Sequence, residues 1–187
     1  MSLTFSVLNE CHFPLLLRWL EAPHVKEWWD QEIVYTLALV REKFSKHIHS
    51  TPLSSVPNRL IYAYIVALDH TPIGYIQAYH AQSFAEENRL DATLIPVSSV
   101  GCDLFIGEPV LQGLGWGAQI LNAFWNERLA AYFDCCVVDP DSNNHRMIRA
   151  CEKAGFHRFV TTYDDRVAWM RRWKNSSHDN SSTVSEV

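Results

Sequence analysis

The sequence has no surplus of positive charge and no apolar run long enough to cross a membrane. Its 187 residues include 16 Lys and Arg against 21 Asp and Glu, a formal net charge of -5 at pH 7. Because phosphate neutralisation needs clustered cations, this balance argues against a nucleic-acid partner. No apolar run reaches about 18 residues, and the first residues do not read as a signal peptide. We therefore expect a cytoplasmic protein that binds neither nucleic acid nor membrane.

Motifs for disulfides and metals are also missing. The cysteines are odd in number and have no CxxC spacing, so we expect buried free thiols rather than disulfides or zinc. The histidines are scattered over loops and element ends. His47 and His49, two apart on a helical stretch, point in different directions. We predict no metal site.

The length and composition of the chain suit one globular domain. It is 48% hydrophobic, and its length fits a single core. Alternating and helical apolar spacings predict strands at 3–8, 59–68, 72–81, 99–107, 135–139 and 156–162, and helices at 13–21, 36–48, 118–133 and 143–154. We predict a mixed-sheet α/β domain over 1–173, antiparallel in its first half, followed by a disordered tail over 174–187.

Glycine is scarce but clustered. Three of only seven glycines fall within QGLGWG, residues 112–117, directly before a helical stretch. Such a turn lets backbone N–H groups converge at a helix N-terminus, which suits a phosphate or pyrophosphate. A plain tight turn is the alternative, and the segment lacks the GKS or GKT of a nucleotide P-loop.

QGLGWG also matches the Q/R-x-x-G-x-G/A signature of the GNAT acyltransferases. Further segments, in the right order from near residue 13 to about residue 171, resemble the aminoglycoside 6'-N-acetyltransferases: EWW (27–29), GYIQAYH (74–80), VGCDLFIGEP (100–109) and VDPDSNNHRMIRACEKAGF (138–156). The resemblance implies the GNAT fold, a mixed, largely antiparallel sheet of six or seven strands flanked by helices. It also implies acetyl-CoA as co-substrate.

The resemblance assigns a coenzyme site residue by residue. Backbone groups of Leu104, Phe105 and Ile106 would bind the pantetheine arm, and Asn144 would bond near the thiol end. The pyrophosphate would lie on the glycine turn, formed by Gln112, Gly113, Leu114, Gly115, Trp116 and Gly117. Core packing for Leu104 and Ile106, and helix capping for Asn144, are compatible alternatives.

A polycationic acceptor needs carboxylates. Asp103, Asp139 and Asp164 match acidic positions of the resembling family. Asp103 lies mid-strand among apolar residues, where a carboxylate needs a cationic ligand or an internal donor. We expect Asp103 to bind the acceptor amine and act as the general base. Ordinary turn chemistry for Asp139 and solvation for Asp164 are the alternatives.

Aromatic residues are expected to complete the acceptor site. Trp28 and Trp29 are adjacent, so on a helix they cannot both face the core, and one would cap the acceptor. Tyr79 shares a strand face with Tyr75, and that face lines either the acceptor cleft or the core. Aromatic faces suit sugar rings and their ammonium groups.

One position departs from the family pattern. Relatives carry Tyr before EKAGF, whereas this chain has Cys151. We expect Cys151 to stand in as the acid that protonates the leaving thiolate, with core packing as its alternative.

The predicted function is direct acetyl transfer from acetyl-CoA to the 6'-amino group of an aminoglycoside, an antibiotic-resistance activity. Two alternatives stay open: a siderophore-type N-acyltransferase that acts on a hydroxylamine or small amine, and a CoA-binding paralogue without turnover. The sequence does not specify an oligomeric state.

Overall fold

A computed structural model describes residues 1–49, 53, 59–86, 90–159 and 166–174. These residues build a seven-stranded sheet in the order β1-β2-β3-β4-β5-β7-β6. The strands are β1 (Leu3–Val7), β2 (Ile61–Leu68), β3 (Thr71–His80), β4 (Ser99–Ile106), β5 (Cys135–Val138), β6 (His157–Arg158) and β7 (Met170–Trp173). The helices are α1 (Phe13–Leu20), α2 (Pro23–Lys26), α3 (Leu37–Phe44), α4 (Trp116–Phe124) and α5 (His145–Lys153).

The expected fold class is confirmed. Only β4 and β5 run parallel, and every other neighbouring pair is antiparallel. α4 lies between β4 and β5 along the chain, which is the crossover that a parallel pair requires. The sheet is therefore mixed and largely antiparallel, as predicted.

Apolar side chains cover both faces of the sheet. Phe124 of α4 and Ile148 of α5 are buried on one face, and Phe13 of α1 and Phe44 of α3 belong to the cluster on the other. On β4 the side chains alternate between these clusters, with Cys102 in the first and Phe105 in the second. β4 is thus held from both sides.

Two elements differ in length from the sequence-based expectation, and the expected tail lies almost entirely outside the described residues. The helix expected to reach residue 133 ends at Phe124, and a π-helical turn follows over Trp125–Leu129. The last expected strand is only two residues long, and residues 160–162 lie outside the described chain. Of the expected tail only Lys174 is described, so its disorder and the domain boundary stay predictions.

The feature that positions the site is the separation of β4 from β5. Their register joins only Ser99, Val100 and Gly101 to Cys135, Cys136 and Val137. β4 then continues to Ile106 along β3, while β5 turns away into Asp139 and α5. The middle of the sheet therefore opens as a V. Within the described chain, no helix has the length and apolarity needed to cross a membrane.

Candidate active site

A cavity of about 890 Å³ occupies the opening between β4 and β5. One side is formed by the end of α2, the turn after it and α3. The other side is formed by the glycine turn, the start of α4 and one face of α5. The outer part of β4 and the end of β5 form its inner wall.

The glycine turn is shaped by two different physical requirements. Gly113 and Gly115 have φ values of 75° and 85°, in the left-handed region that favours glycine. A Cβ atom at either position would meet nothing within 4 Å, so conformation rather than space requires glycine there. At Gly117 a Cβ would lie 3.2 Å from the Cβ of Ala150. That third glycine lets α4 approach α5.

Most of this turn faces the cavity. Gln112, Gly113, Gly115, Trp116 and Gly117 line it, whereas Leu114 is 63% exposed and is not part of the lining. Gly115 is the N-cap of α4 and supplies no side-chain cap to the helix's first N–H groups. An uncapped helix N-terminus that opens on a cavity is suited to an anion.

The outer part of β4 turns alternate backbone groups toward the cavity. The N–H of Gly107 donates to the carbonyl of Ile73 at 2.8 Å, on the β3 side. Because bonding direction alternates along an antiparallel strand, the backbone groups of Leu104 and Ile106 face away from β3. His24 Nε2 lies 3.0 Å from the Ile106 carbonyl oxygen, in agreement with this direction. The side chain of Phe105 is instead buried and stacks on Tyr75 at 5.4 Å.

Asp103 lies on β4 where the two strands separate. It is half-buried and lines the cavity. Gln77 Nε2 donates to its Oδ2 at 2.7 Å, and the Tyr79 hydroxyl donates to its Oδ1 at a longer 3.5 Å. Burial, and after it the charge of Asp139, raise the pKa of Asp103 to about 7. The carboxyl group therefore titrates near neutral pH.

Asp139 follows β5 and lines the same cavity. It is half-buried, and burial raises its pKa above the ordinary value. The turn bond expected of an aspartate near Pro140 is made by Asp141, which accepts from the N–H of Asn143 at 2.8 Å. Each of the two separating strands thus contributes one carboxylate to the inner wall.

The two tryptophans differ in burial. Trp28 is 39% exposed, whereas Trp29 is half-buried and packs edge-on against Phe105 and Tyr75, at 5.1 and 5.9 Å. Both line the cavity. Tyr79 does not belong to that lining, and only its hydroxyl extends to Asp103. Its ring packs on Gly101, where a Cβ would lie 2.4 Å from the ring.

Asn144 combines two of its expected features. Its Oδ1 accepts from the N–H of Met147 at 3.0 Å, which caps α5. The same residue lines the cavity. Asp164, the third expected carboxylate, lies outside the described residues.

The acid role expected of Cys151 is not supported by its position. Its side chain is 0% exposed, belongs to the core between α5 and the sheet, and is not part of the cavity lining. Burial raises the pKa of the thiol to about 12, so it is a poor proton donor as well as one that lies outside the cavity lining. The alternative of core packing agrees with the structure.

Sequence reasoning missed a row of cations on α5. Arg146, Arg149 and Lys153 line the cavity beside the glycine turn. Arg146 Nη1 also donates to Gln112 Oε1 at 3.1 Å. Their spacing of three and four residues places them on one helix face, and that periodicity was the available signal.

Two further polar groups that line the cavity were missed. Gln77 is buried and bonds Asp103, and its alternation with Tyr75 and Tyr79 on β3 was the signal. Asp30, at a left-handed φ of 47°, pairs with Lys43 Nζ at 2.6 Å. Both members of that pair line the cavity.

The chain matches the acetyltransferase (GNAT) domain family over residues 9–163. It is 30% identical over 176 residues to the aminoglycoside N(6')-acetyltransferase type 1 of Klebsiella pneumoniae, covering 90% of this chain and 82% of that protein. Among solved structures it is similar to aminoglycoside acetyltransferase AAC(6')-Ib with coenzyme A and kanamycin, at a TM-score of 0.70 and 27% identity, covering 92% and 95% of the two chains. The AAC(6')-Ib structure with coenzyme A alone gives a TM-score of 0.71 at 25% identity, with the same coverage.

The protein therefore belongs to the GNAT acetyltransferase family, and it is an N-acetyltransferase.

Proposed function

We propose that the protein transfers the acetyl group of acetyl-CoA to the 6'-amino group of an aminoglycoside. The observation that carries the proposal is that Asp103 and Asp139, from two separating strands, face one cavity with the uncapped N-terminus of α4. Carboxylates favour a cationic acceptor, and the helix N-terminus favours the pyrophosphate of the coenzyme. The similarity to aminoglycoside 6'-N-acetyltransferases supports the same acceptor class.

The coenzyme would lie along the α4 and α5 side of the cavity. Its pyrophosphate would accept bonds from the backbone of residues 113–117, with Gln112 at the edge, while Arg146, Arg149 and Lys153 add positive charge. The pantetheine arm would pass along the cavity-facing backbone of Leu104 and Ile106 and end near Asn144. This path takes the thioester toward the point where β4 and β5 separate.

The acceptor would enter from the side of Trp28 and Trp29. Its ammonium groups would meet Asp103 and Asp139, and the tryptophan faces would cover its rings. Since Lys43 neutralises Asp30, that carboxylate is already paired before an acceptor arrives. Asp103 and Asp139 are therefore the carboxylates that the inner wall offers to an ammonium group.

The acceptor's ammonium group first loses one proton, through Asp103, to water, and the neutral amine nitrogen then attacks the thioester carbonyl carbon. The carbon–nitrogen bond forms, the carbon–sulfur bond breaks, and Asp103 accepts a proton from the nitrogen. A backbone N–H of the outer part of β4 would stabilise the oxygen as negative charge develops on it. The thiolate leaves with the electron pair of the broken bond and can take up the proton that Asp103 carries. Cys151 has no part in this scheme.

Acceptor specificity is tested by following thiol release from acetyl-CoA. Kanamycin would be compared with an aminoglycoside that carries a hydroxyl in place of the 6'-amino group, and with small amines such as hydroxylysine. We expect release with kanamycin and little with the hydroxyl analogue. Reaction of the small amines alone would favour the siderophore-type alternative, and coenzyme binding without release to any amine would contradict the proposal.

A further inference from the structure

Gln77 forms a buried bridge between Tyr75 and Asp103. It is the register partner of Asp103 across β3 and β4, and its side chain is 8% exposed. Its Oε1 accepts from the Tyr75 hydroxyl at 2.8 Å, and its Nε2 donates to Asp103 Oδ2 at 2.7 Å. Tyr75 itself is fully buried. The two bonds link the core to the inner wall of the cavity.

The direction of the amide depends on the charge of Asp103. An ionised carboxylate only accepts hydrogen bonds, so it requires the NH₂ end of Gln77. A protonated carboxyl can donate, and it could then face the amide oxygen instead. In the structure the Tyr75 hydroxyl donates to Oε1, which leaves the NH₂ group for Asp103. The bridge is therefore matched to the ionised form.

The surroundings of Asp103 otherwise oppose ionisation. Asp139 at the end of β5 and Asp30 in the turn after α2 contribute negative charge, and Lys43 of α3 is bound to Asp30. From β3, the Tyr75 hydroxyl donates to Gln77, and the Tyr79 hydroxyl donates to the carboxylate over the longer distance of 3.5 Å. Gln77 thus makes the shortest described side-chain bond to the carboxylate.

We propose that Gln77 is a positioning residue that favours the ionised form of Asp103 and holds its carboxyl group toward the cavity, and that Tyr75 holds the amide in the orientation this requires. The inference rests on the proposed function, in which Asp103 accepts the proton of the amine.

The test compares Gln77→Met with the unaltered protein by two measurements. The first is the pH profile of kcat/KM for kanamycin. The second is the ¹³C NMR titration of the Asp103 carboxyl carbon, assigned with Asp103→Asn, which needs no turnover. Loss of a hydrogen bond to the charged carboxylate should move both midpoints to higher pH by about one unit. At pH values below the midpoint, this shift lowers kcat/KM about tenfold, because about a tenth as much of the base is ionised. Activity at high pH should fall far less.

Two variants guard against a merely structural effect. Gln82→Met is the matched control, because Gln82 is half-buried and donates to the carbonyls of Ala92 and Ile95 outside the cavity lining. It should leave both midpoints unchanged. The double variant Tyr75→Phe with Gln77→Met removes both members of the inner bond, so no buried hydroxyl is left without its acceptor. The double variant should show the same upward shift of both midpoints, and it provides the measurement if Gln77→Met alone folds poorly.

The outcomes separate this inference from the proposed function. A carboxyl midpoint that does not move in folded Gln77→Met or in the double variant overturns the role of Gln77. A carboxyl midpoint that moves while the kinetic midpoint stays fixed upholds Gln77 as the group that positions Asp103. That second result contradicts the assignment of Asp103 as the base.

Discussion

In the proposed function, the acceptor side and the coenzyme side of the cavity are built from different kinds of group. The acceptor side relies on carboxylates that are half-buried at fixed strand positions, Asp103 and Asp139. The coenzyme side relies on backbone N–H groups of a helix N-terminus and on exposed cations of α5. Removing a buried charge changes the chemistry, whereas an exposed charge is screened by water and salt.

The difference predicts how each side responds to change. A substitution at the inner wall should alter the chemical step and leave coenzyme binding intact. A substitution on α5 should alter coenzyme binding by a modest factor and leave the chemical step intact. An inner-wall variant that weakened coenzyme binding, or an α5 variant that slowed the chemical step, would contradict this division.

The largest effect is expected for Asp103→Asn. The amide keeps the size of the side chain but cannot accept the amine's proton, so kcat/KM for kanamycin should fall roughly 10²–10⁴-fold. The dissociation constant of acetyl-CoA, measured by calorimetry, should stay within about twofold, because Asp103 is not part of the coenzyme side.

Glu127→Gln is the charge-matched control, since Glu127 is exposed and lies outside the cavity lining. It should retain full activity. An Asp103→Asn variant that retained most of its activity would remove Asp103 from the mechanism.

Asp103→Asn, which should lower activity, should instead raise the stability of the fold at neutral and higher pH. Asp103 has a pKa of about 7 in the folded state, against about 4 in an unfolded chain, so the folded state binds more protons between these values. The free energy of unfolding should therefore decline as pH rises from about 4 to about 7. Asp103→Asn lacks this contribution and should show a higher Tm than the unaltered protein at pH 8.

Thermal unfolding scans at pH 5 and pH 8 measure this difference. A cationic acceptor added at pH 8 should raise the Tm of the unaltered protein more than that of the variant, because it pairs with the ionised carboxylate. A Tm gap between the two proteins that is equal at both pH values would show that the carboxyl group is not strained by its burial.

A smaller effect is expected on the coenzyme side, for the double variant Arg149→Gln with Lys153→Gln. Each exposed cation contributes a few tenths of a kcal/mol to about 1 kcal/mol, so the KM for acetyl-CoA should rise about 3- to 10-fold at low salt. The rise should shrink near physiological salt, where the Debye length is about 8 Å. kcat should not change.

Acetyl-dephospho-CoA, which lacks the 3'-phosphate, shows which phosphate the two cations serve. The quantity compared is the KM of the α5 double variant divided by the KM of the unaltered protein. If this ratio is smaller with acetyl-dephospho-CoA than with acetyl-CoA, the two cations bind the 3'-phosphate. If the ratio is unchanged, they bind the pyrophosphate. Arg41→Gln with Lys46→Gln removes equal charge from exposed positions outside the lining and should not alter the KM for acetyl-CoA. If both double variants raised the KM for acetyl-CoA equally, the effect of the α5 cations would be explained by the net charge of the protein and not by their position.

The sequence was informative where function depends on local chain geometry. The glycine turn, the capping of α5 by Asn144 and the strand position of Asp103 follow from residue types at short range. Apolar spacing also predicted most helices, and runs rich in Ile, Val and Tyr predicted the central strands, which are buried on both faces. These features need no knowledge of which distant segments meet.

The rest required the tertiary arrangement. The bond from Gln77 to Asp103 joins residues 26 positions apart, and it depends on the register of β3 and β4. The depth of Cys151 depends on how α5 packs on the sheet. The alignment with the family showed only that Cys151 stands where relatives carry Tyr, and it did not show that the shorter cysteine side chain lies within the core.

The smallest effect is expected for Cys151→Ala, which tests that correction. Cys135 is the matched control, because both thiols are 0% exposed and burial raises the pKa of each to about 12. Each alanine variant should lower the free energy of unfolding by about 1 kcal/mol, through lost packing, while kcat at pH 7 stays unchanged. Denaturant unfolding and thiol release measure the two quantities. A packing defect of equal size should affect the two variants equally. If Cys151→Ala lost kcat while Cys135→Ala kept it, the Cys151 thiol would therefore take part in protonating the leaving group despite its burial.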